Sequence, residues 1–115
     1  MIKIDKRNLN IFIVQGDTGA FTIGIKKYKF TEGDTINFSV KQDLNPSTPY
    51  SIHKTMSSFT EEGRARIVIA PEDTIKLSLG KYYYDIEWTA KDNSVNTIIP
   101  CGSAEFRIIP GVTNV

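Results

Sequence analysis

The chain has 115 residues, 40% hydrophobic and 23% charged, with 14 Lys plus Arg against 13 Asp plus Glu and a formal net charge of +1. That length fits one domain burying roughly 65% of its unfolded surface, enough for a core without metal or disulfide support. The charge is balanced and scattered along the chain, with no linear basic stripe of the kind a nucleic-acid binder needs, no stretch approaches the ~20 apolar residues of a membrane span, and the single Cys101 excludes an internal disulfide.

Met1-Ile2-Lys3-Ile4-Asp5-Lys6-Arg7 carries charge with no apolar run behind it, so no Sec-type signal peptide is expected and the chain is expected to be made in the cytoplasm. Ile11 to Val14 is apolar on both faces, as a central or exchanged strand would be. Strict alternation then recurs. Phe21, Ile23 and Ile25 alternate with Thr22, Gly24 and Lys26; Ile36, Phe38 and Val40 alternate with Asn37, Ser39 and Lys41. Between them, Lys26-Lys27-Tyr28-Lys29-Phe30 reads as an exposed strand with lysines guarding its edge. Tyr50 to Lys54 is a short edge candidate. Ala65, Ile67 and Ile69 alternate with Arg64, Arg66 and Val68. Pro71 to Leu77 has the proline and acids of a helical first turn, but Gly80 limits it to one turn. Tyr82, Tyr84, Ile86 and Trp88 alternate with Tyr83, Asp85, Glu87 and Thr89. Lys91-Asp92-Asn93-Ser94 should turn that strand back into Val95–Ile99. Ala104, Phe106 and Ile108 form the last apolar row.

Period two places each apolar set on one face of a strand, and two such sheets must bury those faces against each other. Breaks at Gly16-Asp17, Glu32-Gly33-Asp34, Asn45-Pro46, Glu62-Gly63, Gly80 and Pro100-Cys101-Gly102 separate the strands at short intervals. The expected fold is therefore all-β: a two-sheet antiparallel sandwich of about seven or eight short strands. It should form one domain over residues 1–115, with an ordered core over roughly residues 9–110. The pattern G-D-T-x-x-F-[ST]-[IV] occurs twice, from Gly16 to Ile23 and from Gly33 to Val40. It describes a Gly-Asp turn followed by a strand with an inward Phe, and each Asp is placed to accept hydrogen bonds from nearby backbone amides.

Residues with chemical potential are few. His53 is the one histidine and is expected on the exposed face of an edge strand; no G-x-S-x-G elbow accompanies it. Cys101 lies in a turn. A transition-metal site needs several His or Cys, and the turn acids Asp17, Asp34, Asp73 and Asp92, with Asn93, do not follow EF-hand spacing. Glu61-Glu62 reads as a solvated turn, and Gly16-Asp17-Thr18-Gly19 lacks the lysine of a phosphate loop. Neither a catalytic, a cofactor-binding nor a metal-binding residue is expected. Tyr82, Tyr84 and Trp88 share the core face, leaving Tyr83 as the exposed aromatic a glycan would stack on.

The stretch Asp73-Thr74-Ile75-Lys76-Leu77-Ser78-Leu79-Gly80-Lys81-Tyr82-Tyr83-Tyr84 resembles the corner before the penultimate strands of immunoglobulin and fibronectin type III domains, where a tyrosine hydroxyl bonds back to the preceding turn. The Cys-Trp-Cys pattern of antibody domains is absent. A second resemblance spans most of the chain. Gly16-Asp17-Thr18, Gly33-Asp34-Thr35, Ile69-Ala70-Pro71-Glu72-Asp73-Thr74, Gly80-Lys81-Tyr82-Tyr83-Tyr84-Asp85-Ile86, Thr97-Ile98-Ile99 and Val112-Thr113 occur in the order seen in small β domains of bacteriophage and prophage tails and baseplates. The layout is similar to the N-terminal docking domain of upper-baseplate proteins. That resemblance implies a virion structural protein that works by assembly, its partners being other virion subunits or further copies of itself. Carbohydrate binding or adhesion, with a glycan as ligand, is the alternative such a sandwich implies.

Overall fold

The computed structural model describes residues 2–111. Among them lie β1 (Ile2–Ile4), β2 (Ile11–Val14), β3 (Gly19–Ile23), β4 (Thr35–Lys41), β5 (Ile52–Met56), β6 (Ala65–Ile69), a helical turn α1 (Pro71–Thr74), β7 (Gly80–Thr89), β8 (Val95–Ile99) and β9 (Glu105–Ile109). The fold is all-β. In β1, Ile2 and Ile4 are half-buried against the core while Lys3 faces solvent.

The strands form a curled seven-stranded sheet, ordered β1-β2-β9-β7-β4-β5 with β8 also against β7, and a two-stranded sheet of β3 and β6. β7 is the spine. One side pairs with β4 from Tyr83 to Thr89; the other pairs with β9 from Gly80 to Tyr83 and with β8 from Ile86 to Thr89. β8 and β9 thus lie in line, divided by the Pro100-Cys101-Gly102 turn. Pro100 has no N–H to offer a ladder, and Gly102 takes φ 98°, so the interruption is written in the chain.

The expectation of purely antiparallel pairing is corrected at one place. β2 runs parallel to β9, with Ile11 beside Phe106 and Val14 beside Ile109. Parallel neighbours need a long crossover. Here the chain leaves β2 for the small sheet and returns to β9 only after every other strand is laid down, so no hairpin constrains their direction.

The small sheet covers the inner face of the large one. Phe21 of β3 meets Phe38 of β4 edge-on at 5.5 Å between ring centres, and Phe38 also contacts Tyr84 and Phe106 at 5.6 and 6.0 Å. Ile36, Phe38 and Val40, with Ile11, Ile13, Phe106 and Ile108, are at most 1% exposed. Ala65, Ile67 and Ile69 of β6 are wholly buried opposite them. Alternation therefore sorts the side chains as expected. Gly19 sits where β3 crosses β1: a Cβ there would come within 2.7 Å of the Ile2 side chain.

The segment Tyr28–Phe30 departs from the edge-strand expectation. Ile25 and Tyr28 bridge a two-residue turn at Lys26-Lys27, with Lys27 at φ 63°. Phe30 is 3% exposed, and its N–H bonds the Gly63 carbonyl at 2.9 Å. Tyr28 and Phe30 pack on Trp88 at 4.6 and 5.6 Å between ring centres. Burying two rings against a third outweighs extending the strand, and the lysines cap the tip.

Candidate functional site

His53 lies on β5, an edge of the large sheet, with its imidazole exposed on the outer face. Its Nδ1 is 2.9 Å from the Ser39 hydroxyl, and its ring stacks on Tyr50 at 4.8 Å. The ladder sets Asp85 of β7 and His53 of β5 on opposite sides of Ser39. The hydroxyl therefore stands between imidazole and carboxylate. In a nucleophilic relay the imidazole stands between the other two. Within this row the hydrogen bond joins Ser39 to His53 across the β4–β5 ladder. Burial raises the Asp85 carboxyl above its ordinary value and Glu87 adds to this, with Lys41 and His53 opposing. Cys101 is exposed in its turn; partial burial pushes its thiol up, as does Asp85, again against Lys41.

The turn acids are placed in separate corners. Asp34, 1% exposed, accepts bonds from the Thr31 amide at 3.0 Å, the Tyr28 hydroxyl at 2.8 Å and the Trp88 indole N–H at 3.2 Å. The expected amide contact is there, joined by two aromatic donors. Asp73 accepts from the Ala70 amide at 2.7 Å and pairs with Lys54 at 2.8 Å, which ties α1 to β5. Asp92 accepts from the Ser94 amide and hydroxyl, while Asn93 adopts φ 69° at the β7–β8 turn. Asp17 is half-buried in the first Gly-Asp turn, where the Gly16 amide bonds the Thr74 hydroxyl at 2.8 Å. Glu61 and Glu62 are exposed. Among the described residues no three His, Cys, Asp or Glu side chains converge as metal ligands would.

The tyrosines divide by face. Tyr82 and Tyr84 are buried: the Tyr82 hydroxyl bonds the Ser78 carbonyl at 3.0 Å, and the Tyr84 hydroxyl bonds the Leu9 carbonyl at 2.5 Å. Burial drives Tyr84 up to about 12. Tyr83 is half-buried rather than exposed, with the Lys81 ammonium 5.4 Å above its ring. Tyr50, 57% exposed, is the open aromatic, and Lys41 lies 5.5 Å from its ring.

Two further surface features stand out, the first in part expected from the Tyr50–Lys54 edge candidate and the second not visible as a linear motif. The first is a set of open edges. β1, β5 and β8 each pair on one side only. β5 bears Lys54, but β8 is Val-Asn-Thr-Ile-Ile, with neither lysine nor proline, and Val95 is 61% exposed. The second is the outer face over β1, β2, β9 and the start of β7. Ladder register brings Lys3, Phe12, Arg107 and Lys81 into one row, and Val14 beside Ile109 into the next. A groove of about 610 Å³ runs there between Lys3, Lys6, Arg7, Phe12, Val14 and Ile109, with Asp5, the partner of Arg7, also in its wall. Further grooves of about 620 and 640 Å³ flank the Lys26-Lys27 turn and the loop from Ser57 to Gly63, walled by lysine and glutamate stems. Positions 3, 12, 81 and 107 are far apart in the chain, so only the register reveals the basic row.

No protein-family model matches the chain. A search of curated proteins finds no significant match.

Proposed function

We propose that this domain is an immunoglobulin-like assembly module of a bacteriophage or prophage tail or baseplate, joined to other virion subunits or further copies of itself. It is made in the bacterial cytoplasm and acts once built into the particle. Two features support the architecture. The sequence β2 parallel to β9, then β7, β4 and β5, with β3 and β6 opposite, matches the way first and last strands adjoin in such sandwiches. The Tyr82 hydroxyl reaching back to the Ser78 carbonyl matches the tyrosine corner. The motif order from Gly16-Asp17-Thr18 to Thr97-Ile98-Ile99 supports the virion setting.

The observation that carries the assembly reading is the β8 edge. Sheet edges that stay free are guarded by lysine, proline, bulges or covering loops. β8 has β-branched residues and no charge, and its one irregularity is the register shift at Ile98, which leaves Val95 to Thr97 as a regular open stretch, so a partner strand completes it by main-chain pairing. The Ala90 N–H bonds the Ser94 carbonyl at 2.9 Å, which sets the phase of the ladder. By alternation, Val95 and Thr97 turn their main-chain groups away from β7. Thr97→Pro thus removes an outward N–H. A proline at Ile52 on β5 would be a poor probe, because Ile52 is 4% exposed and belongs to the core.

The test is mass spectrometry of particles purified after prophage induction in the source bacterium. The chain should co-purify with tails at a fixed ratio, and Thr97→Pro, folded by circular dichroism, should be lost from them. Absence of the wild-type chain from particles overturns the reading. A glycan-binding role draws on the exposed Tyr50 beside His53 rather than on Tyr83, and glycan-array binding abolished by Tyr50→Ala would favour it.

A further inference from the structure

We propose that the outer face over β1, β2, β9 and the start of β7 docks an acidic amphipathic helix of a partner subunit. The proposal rests on the assembly reading and gives it a second surface, distinct from the β8 edge. The register row Lys3, Phe12, Arg107, Lys81 crosses four strands. At ~4.8 Å between strands that row is about 14 Å wide. A helix is about 10 Å across with its side chains, so one lying over β2 and β9 fits between Lys3 on one flank and Lys81 on the other, above Arg107. Beneath it lie Phe12 and Val14, half-buried, with Ile109 37% exposed. The footprint is an apolar stripe with cations on both sides, the complement of a helix with an apolar face and acidic flanks.

The charge is available. Arg107 is already held by Glu105 at 2.8 Å, and Arg7 by Asp5 at 3.6 Å. Lys3, Lys6 and Lys81 are exposed, and among the described residues none has a carboxylate at ion-pair distance. A chain of net charge +1 that gathers uncompensated lysines around an apolar groove is set up for an anionic partner. The shape favours a helix over a flat anionic bilayer. Phe12 and Val14 form a floor below the lysines, which a ridge of side chains reaches and a planar surface does not.

The experiment titrates the ¹⁵N-labelled chain with a synthetic Leu/Glu amphipathic peptide of about 18 residues, long enough to hold helix. A Leu/Lys peptide of the same pattern and phosphatidylglycerol vesicles serve as the other arms. The expected result is amide shifts at Lys3, Phe12, Arg107 and Lys81 with the Leu/Glu peptide alone. Affinity should fall about tenfold or more in the Lys3→Glu, Lys6→Glu, Lys81→Glu triple variant, whose changes are all on exposed side chains. No shifts, equal shifts with both peptides, shifts elsewhere, or binding to the vesicles instead would each overturn the proposal. In the particle assay, a triple variant retained as well as wild type overturns this inference and leaves the assembly reading standing. Loss of the triple variant with Thr97→Pro retained supports this face and counts against the β8 edge.

Discussion

Replacing Asp34 by Asn tests the most connected polar group in the core. Asp34 is 1% exposed, and its two oxygens accept three hydrogen bonds. One oxygen serves the Thr31 amide and the Tyr28 hydroxyl, the other the Trp88 indole. An amide in the same place has one accepting oxygen. Whichever way it turns, its NH₂ faces at least one of these donors. A buried donor left without an acceptor costs about 1–3 kcal/mol, and the bonds that survive lose their charge assistance. Asp34→Asn should therefore destabilise the domain by about 2 kcal/mol, lowering Tm by roughly 8 °C for a chain of this size. Urea unfolding followed by the fluorescence of Trp88, the one tryptophan, reads both the global transition and this corner. A variant within about 0.5 kcal/mol of wild type at unchanged m value would refute the reasoning.

The same site sets a pH signature. Burial pushes the Asp34 carboxyl up, but the Thr31 amide, the Tyr28 hydroxyl, the Trp88 indole and the charge of Lys91 outweigh it and hold it below its ordinary value. A carboxyl depressed in the folded state contributes stability above its unfolded pKa of about 3.9, and loses it as pH falls through the folded value. The gap between wild type and Asp34→Asn should thus be full at neutral pH and narrow below about pH 4. Tyr28 works in the opposite sense. Its bond to Asp34 first, and burial second, raise it above 10. That contribution persists below the unfolded value and goes as pH rises through the folded one. A gap that stays constant from pH 7 to pH 3 would contradict the Asp34 assignment.

Three other predictions follow from local geometry. Tyr84, driven up to about 12 by burial, should be the last tyrosine to ionise at 295 nm, rising together with alkaline unfolding; Tyr84→Phe should cost about 1 kcal/mol through the lost bond to Leu9. Gly63→Ala should cost well over about 2 kcal/mol, because at φ +75° its Cβ would lie 2.7 Å from the Lys29 Cα, whereas Gly80→Ala, at φ +126° with nothing within 4 Å, meets backbone strain alone; equal Tm losses would contradict this. The Cys101 thiol, raised by partial burial and by Asp85, should alkylate with iodoacetamide at pH 8 more slowly than a free cysteine and faster in Asp85→Asn, as mass spectrometry can follow.

How much of this was legible in the sequence depends on whether a feature is local. Alternation placed Ile36, Phe38 and Val40 inside, and Tyr82, Tyr84 and Ile86 with them. The Asp92-Asn93 turn and the single helical turn at Pro71 were likewise legible, since each is decided within a few residues. Period two fixes a side chain's face but not its strand's neighbour, so the parallel β2–β9 pair gave no sign of itself. Lys26 to Phe30 alternates like a strand, and what turned its rings inward was Trp88, some sixty positions away in the chain. Asp34 looked like an ordinary turn acid for the same reason: its indole donor lies 54 residues on.

The two surfaces argued to work in assembly differ in how the chain builds them. The β8 edge is local, since its hairpin closes through Asp92 to Ser94 and needs only β7 behind it. The basic face is assembled from strands far apart in sequence, β2 supplying Phe12 and Val14 while β9 supplies Arg107 and Ile109. Its register is pinned by the Asn10 side chain accepting the Glu105 amide at 2.9 Å across 95 residues, and by Tyr84 bonding Leu9 across 75. Contacts of such separation form late, because the loop entropy must be overcome before they stabilise anything. The lysine row therefore exists only once both ends of the chain have met in the large sheet. A partner that reads that row discriminates folded subunits from incomplete ones, which a partner reading the hairpin edge alone cannot do.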